Sequence, residues 1–127
     1  MNKDFDQWNT EKKRAHAEHP RLYTVREVWW CSLGVNIGSE QDGSGQLFLR
    51  PVVIVRSFGP DTCVVIPLTT SERKHPLRVP VGDIQEKKAS AILSQMRVID
   101  TRRLVEKIGF LDKEIFMELR KAVRNLF

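Results

Sequence analysis

Short runs of β-branched residues dominate the middle of the chain. Residues 24–34, 50–58 and 62–70 are rich in Val, Ile, Thr and Trp, the residue types that favour strands. The second and third runs are separated by Gly-Pro-Asp at residues 59–61, which is a turn signal. We therefore predict a strand followed by a β-hairpin.

Two further segments predict strands. Residues 77–81 carry an apolar side chain at every second position, and Pro80 favours a place at the edge of a sheet because proline cannot donate a backbone hydrogen bond. Residues 90–100 predict one more strand. Several short strands at this spacing indicate a small β-barrel.

The C-terminal segment has the spacing of an amphipathic helix. Its apolar residues recur at 3.6-residue intervals on one face: Ile115, Phe116, Leu119, Ala122, Val123 and Leu126. Asp112 is well placed to cap the N-terminus of this helix, and Arg124 suits the negative end of its dipole. We expect the apolar face to pack on the barrel.

The N-terminal segment also predicts a helix, over residues 2–18, but its apolar stripe consists only of Phe5 and Trp8. Such a thin stripe indicates weak packing or docking elsewhere. We interpret residues 1–20 as a helical extension and residues 21–127 as one domain.

Composition bounds the class of protein. The 127 residues are 41% hydrophobic and 29% charged, which is ordinary for a soluble single domain. No apolar run approaches the ~20 residues of a membrane span, and the first residues lack a secretory signal, so we expect a cytoplasmic protein without a membrane partner. Cys31 and Cys63 lie in apolar strands and are expected to be free buried thiols.

The net charge of +5 favours a polyanionic or acidic partner. Part of this charge is concentrated between Glu72 and Lys107, where nine cations face five anions. A basic surface that serves only solubility is equally consistent with the charge.

Polar groups collect at the ends of the predicted strands. A glycine-rich loop at residues 38–45 carries a hydroxyl, a carboxylate and an amide, although a mobile hairpin loop is the simpler interpretation. Arg50 opens a strand and offers a planar fork of donors suited to phosphate, whereas most arginines are merely exposed. Residues 69–71 end a strand with three hydroxyls, which can bind phosphate or cap their own backbone.

Other candidates for chemistry are weaker. His16 and His19 lie three residues apart but lack the further ligands that a metal site needs, so no metal is expected. His75 lies in a loop that could bring a proton carrier to the strand ends. Trp29 and Trp30 should point to opposite faces of a strand, one into the core and the other toward a base or a dimer interface.

These motifs, in this order, resemble the PemK/MazF family of toxin endoribonucleases. The matching segments are VREVWWCSLG with IGSEQ, an RPVVIV strand, VVIPLTTS, and ILSQMRVIDTRRLVEKIGFLDKEIFMELRKAV. The resemblance runs from about Val25 to Leu126, some four-fifths of the chain. It implies an SH3-like barrel that forms a homodimer, cleaves single-stranded mRNA at specific sequences without metal or cofactor, and leaves 2′,3′-cyclic phosphate and 5′-hydroxyl ends.

The resemblance also assigns roles to residues. Arg50 and Thr69 match the catalytic arginine and threonine. A guanidinium stays protonated at neutral pH, which leaves the general base unassigned, and Glu40 is the candidate because a carboxylate needs only hydrogen-bonding reach of the 2′-hydroxyl. The expected substrate-binding residues are Ser39, Gln41, Phe48, Thr70, Ser71, Gln95 and Arg97. The implied partners are single-stranded RNA and a cognate antitoxin, with operator DNA bound only by the toxin–antitoxin complex.

Two departures from the family pattern leave an alternative open. Residues 42–49 lengthen the loop before Arg50, and Ser94 stands where branches of the family carry an acidic residue. The alternative is a barrel that binds nucleic acid or an antitoxin-like peptide without cleaving.

Overall fold

The computed structural model describes residues 22–33 and 49–127. The described elements, in chain order, are β1 Glu27–Ser32, β2 Leu49–Ser57, β3 Thr62–Thr69, β4 Arg78–Ile84, β5 Lys87–Ile92, β6 Arg97–Asp100, β7 Leu104–Phe110 and helix α1 Lys113–Asn125. Short 3-10 turns at Leu93–Gln95 and Thr101–Arg103 precede β6 and β7.

The strands form one curled antiparallel sheet in the order β4-β5-β3-β2-β1-β7. Strand β3 pairs with β2 along one edge, and its other edge is divided between two strands, β6 and β5. Its residues 62–65 pair with β6, whereas residues 68–69 pair with β5. Sharing one strand between two neighbours lets a short sheet wrap around its own core.

Both faces of the central strands are buried, which explains their continuous apolar runs. Val53 and Ile66 belong to a cluster that includes Phe116 and Leu119 of α1. The intervening residues point the other way and pack in a second cluster: Trp29, Cys31, Val52, Ile54, Cys63, Val65, Ile99 and Leu104. Burial raises the pKa of the Cys31 thiol to about 12 and that of Cys63 to about 11, and both cysteines are free, as predicted.

Helix α1 buries most of the predicted face, with Phe116 and Leu119 almost inaccessible to solvent. The exception is Leu126, which follows the last helical residue and is 38% exposed. Asp112 occupies the N-cap position, and its carbonyl accepts a hydrogen bond from the Phe116 amide at 2.8 Å. The predicted N-cap residue is therefore confirmed, although its carboxylate makes no capping hydrogen bond within the described residues.

The turn end of the β2–β3 hairpin is held by side chains from distant segments. The Tyr23 hydroxyl lies 2.7 Å from Ser57 Oγ and 3.0 Å from the Thr62 carbonyl oxygen. Buried Thr101 donates its hydroxyl to the Pro60 carbonyl at 2.7 Å, and its amide donates to the Asp61 carbonyl at 2.9 Å. The turn residues therefore have their backbone acceptors satisfied from outside the hairpin.

Strands β4 and β5 are joined by an unusual two-residue turn. Ile84 pairs with Lys87, which leaves Gln85 and Glu86 between the strands with φ values of 51° and 69°. Tight hairpins need positive φ at both central residues and normally use Asn and Gly there. The left-handed conformation costs an ordinary residue roughly 1–2 kcal/mol.

Several strand predictions need correction. Residues 90–100 are not one strand, because the 3-10 turn at Leu93–Gln95 divides them into β5 and β6. Strand β7 had no counterpart among the predicted strands. The edge position of the Pro80 strand is confirmed among the described strands. The predicted helix at residues 2–18 lies outside the described residues.

Candidate functional site

The hairpin register brings Arg50 and Thr69 together at its open end. Strands β2 and β3 pair Val52 with Pro67 and Val53 with Ile66. Continuing this antiparallel register by two residues places Arg50 opposite Thr69. The sequence separates these side chains by 19 positions, but the fold makes them neighbours.

Both residues line one cavity of about 380 Å³. It lies between the open end of the hairpin and the β4–β5 turn. Its lining residues are Trp30, Arg50, Pro51, Leu68, Thr69, Thr70, Ile84, Gln85, Lys87, Ala89 and Ile108. We call it the Arg50 cavity. Its lining combines apolar side chains with two cations and several hydrogen-bonding groups, as ligand pockets commonly do.

The Thr69 hydroxyl is oriented by its own loop. Its oxygen accepts a hydrogen bond from the Ser71 amide at 3.1 Å, which is the backbone cap that the sequence left open as an alternative. A hydroxyl carries one donor hydrogen and two acceptor lone pairs. The backbone contact uses a lone pair, so the hydrogen stays available to donate to an anion in the cavity. Capping and ligand binding are therefore compatible at this residue.

The Arg50 side chain is positioned by Gln95. Arg50 Nη1 donates to Gln95 Oε1 at 3.2 Å, and Gln95 lies on the 3-10 turn between β5 and β6. A guanidinium has five donor hydrogens in a planar fork. One bond to an amide steadies this fork and leaves donors for a phosphate.

The remaining predicted site residues are spread more widely. Thr70 lines the Arg50 cavity, whereas Ser71 lines a neighbouring cavity of about 660 Å³. Arg97 donates to the Leu33 carbonyl at 3.3 Å, beyond the end of β1.

Four predicted residues, namely Ser39, Glu40, Gln41 and Phe48, lie outside the described residues.

The neighbouring cavity is basic. It borders Thr70, which it shares with the Arg50 cavity, and four of its lining residues are cations: Arg73, Lys74, Arg78 and Lys88. Glu72 and Asp83 are its acidic lining residues. His75 also lines it, with Nδ1 accepting from the Leu77 amide at 3.0 Å. The two cavities share Thr70 and Ala89 in their linings, and cations outnumber anions in both.

Sequence reasoning missed part of the cavity wall. The alternation of the tryptophans is confirmed: Trp29 is buried in the core, and Trp30 lines the Arg50 cavity. Gln85 and Lys87 were not predicted to be site residues. The turn at residues 85–86 contains neither the glycine nor the asparagine that usually marks such a turn, so no local signal predicted it.

Within residues 22–33 and 49–127, no group of three or more His, Cys, Asp or Glu side chains is arranged to hold a metal ion. The same part of the chain contains no helix with the length and apolar character needed to cross a membrane.

Known proteins resemble this chain in sequence and in fold. A family described as "PemK-like, MazF-like toxin of type II toxin-antitoxin system" matches residues 24–127. Endoribonuclease EndoA of Bacillus subtilis (strain 168) is 30% identical over 108 residues, which cover 77% of this chain and 88% of EndoA.

Two solved structures share the fold. The Mycobacterium tuberculosis toxin MazF-mt6 superposes with a TM-score of 0.60 at 22% identity, covering 79% of this chain and 94% of the toxin. An endoribonuclease from mycobacterial species, solved in complex with its cognate antitoxin, superposes with a TM-score of 0.63 at 17% identity, covering 82% of this chain and 93% of that one. These likenesses confirm the predicted mainly-β fold with a C-terminal helix.

Proposed function

The chain belongs to the family of PemK-like, MazF-like toxins of type II toxin–antitoxin systems, and we propose that it is an endoribonuclease that cleaves single-stranded RNA in the Arg50 cavity. The observation that carries the proposal is the meeting of Arg50 and Thr69 at one end of the hairpin. A guanidinium and a hydroxyl that face one cavity suit a phosphodiester. EndoA, which covers most of this chain, bears the name endoribonuclease.

The proposed reaction is an internal transfer at phosphorus. The ribose 2′-oxygen attacks the adjacent phosphorus, the bond to the 5′-oxygen breaks, and the products carry a 2′,3′-cyclic phosphate and a 5′-hydroxyl. Negative charge grows on the non-bridging oxygens as the attack proceeds. Arg50 and the Thr69 hydroxyl donate to these oxygens, and a preorganised donor of this kind is typically worth ~10²–10³ in rate.

Proton transfer needs a further group. A guanidinium remains protonated at neutral pH and does not accept the proton of the 2′-hydroxyl. Glu40 is the proposed general base, because a carboxylate within hydrogen-bonding reach can take that proton. Arg50 then acts as an electrostatic stabiliser, held in place by Gln95, and helps to protonate the leaving 5′-oxygen, which becomes the 5′-hydroxyl.

The proposed partners follow from charge and from family membership. Single-stranded RNA would run from the Arg50 cavity into the basic neighbouring cavity, where its phosphates meet Arg73 and Lys88. The same basic surface suits an acidic segment of a cognate antitoxin, and a toxin–antitoxin complex is what the mycobacterial structure contains. We also propose that two copies form a homodimer.

Arg50→Ala tests the proposal against a matched arginine on the same strand. Arg56 is exposed at the opposite end of β2, with its guanidinium 5.1 Å from the centre of the Phe58 ring. On a long single-stranded RNA in EDTA, we expect Arg50→Ala to lower the cleavage rate by roughly 10²–10³. Arg56→Ala should cleave like the wild type, and both variants should have the wild-type melting temperature.

The possible results distinguish an endoribonuclease from a barrel that binds RNA without cleaving it. Equal cleavage by wild type and Arg50→Ala would overturn the catalytic assignment. RNA that the wild type binds but leaves intact would support the alternative of a non-cleaving barrel, and the serine at position 94 would then be the first residue to change.

A further inference from the structure

The β4–β5 turn forms the second wall of the Arg50 cavity. Gln85 and Lys87 line the cavity together with Trp30, whereas Glu86 is not among the described residues that line it. A nucleotide whose phosphate is held by Arg50 and Thr69 carries its base one ribose away from that phosphate. Gln85, which lines the same cavity, is therefore within reach of a base.

The conformation of this turn is unfavourable for its residues. Gln85 and Glu86 both have positive φ, and neither is the glycine or asparagine that such turns prefer. Strained backbone conformations collect at functional sites, where a side chain at that position is worth its conformational cost. Here Gln85 contributes an amide side chain to the lining of the Arg50 cavity, and a glycine at this position would remove that amide.

The chemistry of the wall suits a nucleobase. Unpaired bases in RNA are recognised by stacking on aromatic side chains and by hydrogen bonds to their edges. Trp30 is half-buried in the lining and offers an aromatic surface. An amide offers a donor and an acceptor side by side, which matches the paired donor and acceptor on the edge of a base.

From this juxtaposition we propose that Gln85 is a specificity-determining residue, which reads the base beside the cleaved phosphodiester while that base lies against Trp30. The proposal rests on the endoribonuclease activity proposed above. Lys87 follows Gln85 on the same wall and would contact a phosphate, which carries no sequence information.

Glycine variants of the two turn residues separate the effect of the Gln85 side chain from the effect of the positive φ angles. Gln85→Gly and Glu86→Gly each relieve one positive φ angle, but only the first removes a group from the cavity. The measurement is the ratio of initial cleavage rates at competing sites within one RNA of mixed sequence. This ratio does not depend on how much of each preparation is active.

We expect Gln85→Gly to change the ratio between sites that differ at one base by roughly tenfold, and Glu86→Gly to leave it unchanged. Lys87→Gln should slow all sites alike. Unchanged ratios in Gln85→Gly, with the wild type cleaving, would overturn this inference and leave the proposed function intact. Equal changes in both glycine variants would assign the effect to turn geometry and also overturn it. A wild type that cleaves no site would overturn the proposed function itself.

Discussion

The two ends of the β2–β3 hairpin use similar residues for opposite purposes. At the turn end, Tyr23 and Thr101 place their hydroxyls against backbone carbonyls of the turn. At the open end, the Thr69 hydroxyl accepts from a backbone amide, and Arg50 donates to a side-chain amide. At the turn end these hydroxyl donors are used within the fold, whereas at the open end the Thr69 hydroxyl and Arg50 retain donors that we propose bind a ligand.

The threonines at the two ends also differ in burial. Thr101 is 1% exposed, so a hydroxyl there must find an internal partner. Thr69 is half-buried beside a cavity that admits a ligand. The residue type alone therefore does not identify a functional threonine. Thr69 differs from Thr101 in that its hydroxyl accepts a hydrogen bond rather than donating one and in that it lines a cavity, and on these two differences we base its proposed role.

Among the substitutions that compare the two ends through their threonines, Thr69→Val should produce the largest effect. Valine keeps the shape and strand preference of threonine but removes the donor, so we expect the cleavage rate to fall by roughly 10². Thr69→Ser keeps the hydroxyl and should retain most of the activity. Single-turnover cleavage of one RNA measures both variants. Full activity in Thr69→Val would remove Thr69 from the reaction.

Thr101→Val tests the turn end with the same substitution. It removes the bond to the Pro60 carbonyl, which should lower the free energy of unfolding by about 1 kcal/mol. Cleavage by the folded protein should be unchanged. Urea unfolding gives the first quantity, and an RNA assay well below the transition gives the second. A loss of cleavage as large as in Thr69→Val would mean that the two ends do not act separately.

Asp100→Asn should produce the smallest effect, and one that depends on pH. Asp100 accepts a side-chain hydrogen bond and a backbone hydrogen bond from Arg102, which lower the pKa of its carboxyl to about 2. The pair is exposed, so solvent screens it and it should stabilise the fold only weakly. Because the folded pKa lies below the unfolded one, this contribution is present above pH ~4 and disappears as the pH falls from ~4 to ~2.

The measurement for Asp100 is the difference in unfolding free energy between wild type and Asp100→Asn across that pH range. Asparagine can still accept from the Arg102 amide, so the difference reports the charge rather than the cap. A difference that grows as the pH falls would contradict the assignment.

The features predicted correctly are those that depend on a few residues close together in the sequence. The turn at residues 59–61, the edge position of Pro80 and the apolar face of α1 each depend on a few neighbouring residues. Strand β7 was not predicted because its pairing with β1 contains two register shifts, which break the two-residue alternation of exposure. The 3-10 turn at Leu93–Gln95 was not predicted because the apolar, buried Leu93 fits a continuation of strand β5.

The site was predicted only in part, for a related reason. Arg50 and Thr69 could be named because each stands at the end of an obvious strand and matches a family motif. The bond from Arg50 to Gln95 joins residues 45 positions apart and depends on the three-dimensional path of the chain. Gln85 was missed because its turn lacks the glycine that usually marks one.

The ends of the cleaved RNA test the central claim most directly. Wild-type protein incubated with single-stranded RNA in EDTA should produce fragments whose new 5′ ends are hydroxyls and whose new 3′ ends are 2′,3′-cyclic phosphates. Such ends require attack by the 2′-oxygen, the step that the Arg50 and Thr69 donors are proposed to stabilise. Fragments with 5′-phosphate and 3′-hydroxyl ends would mean that water attacks instead, and would contradict the account.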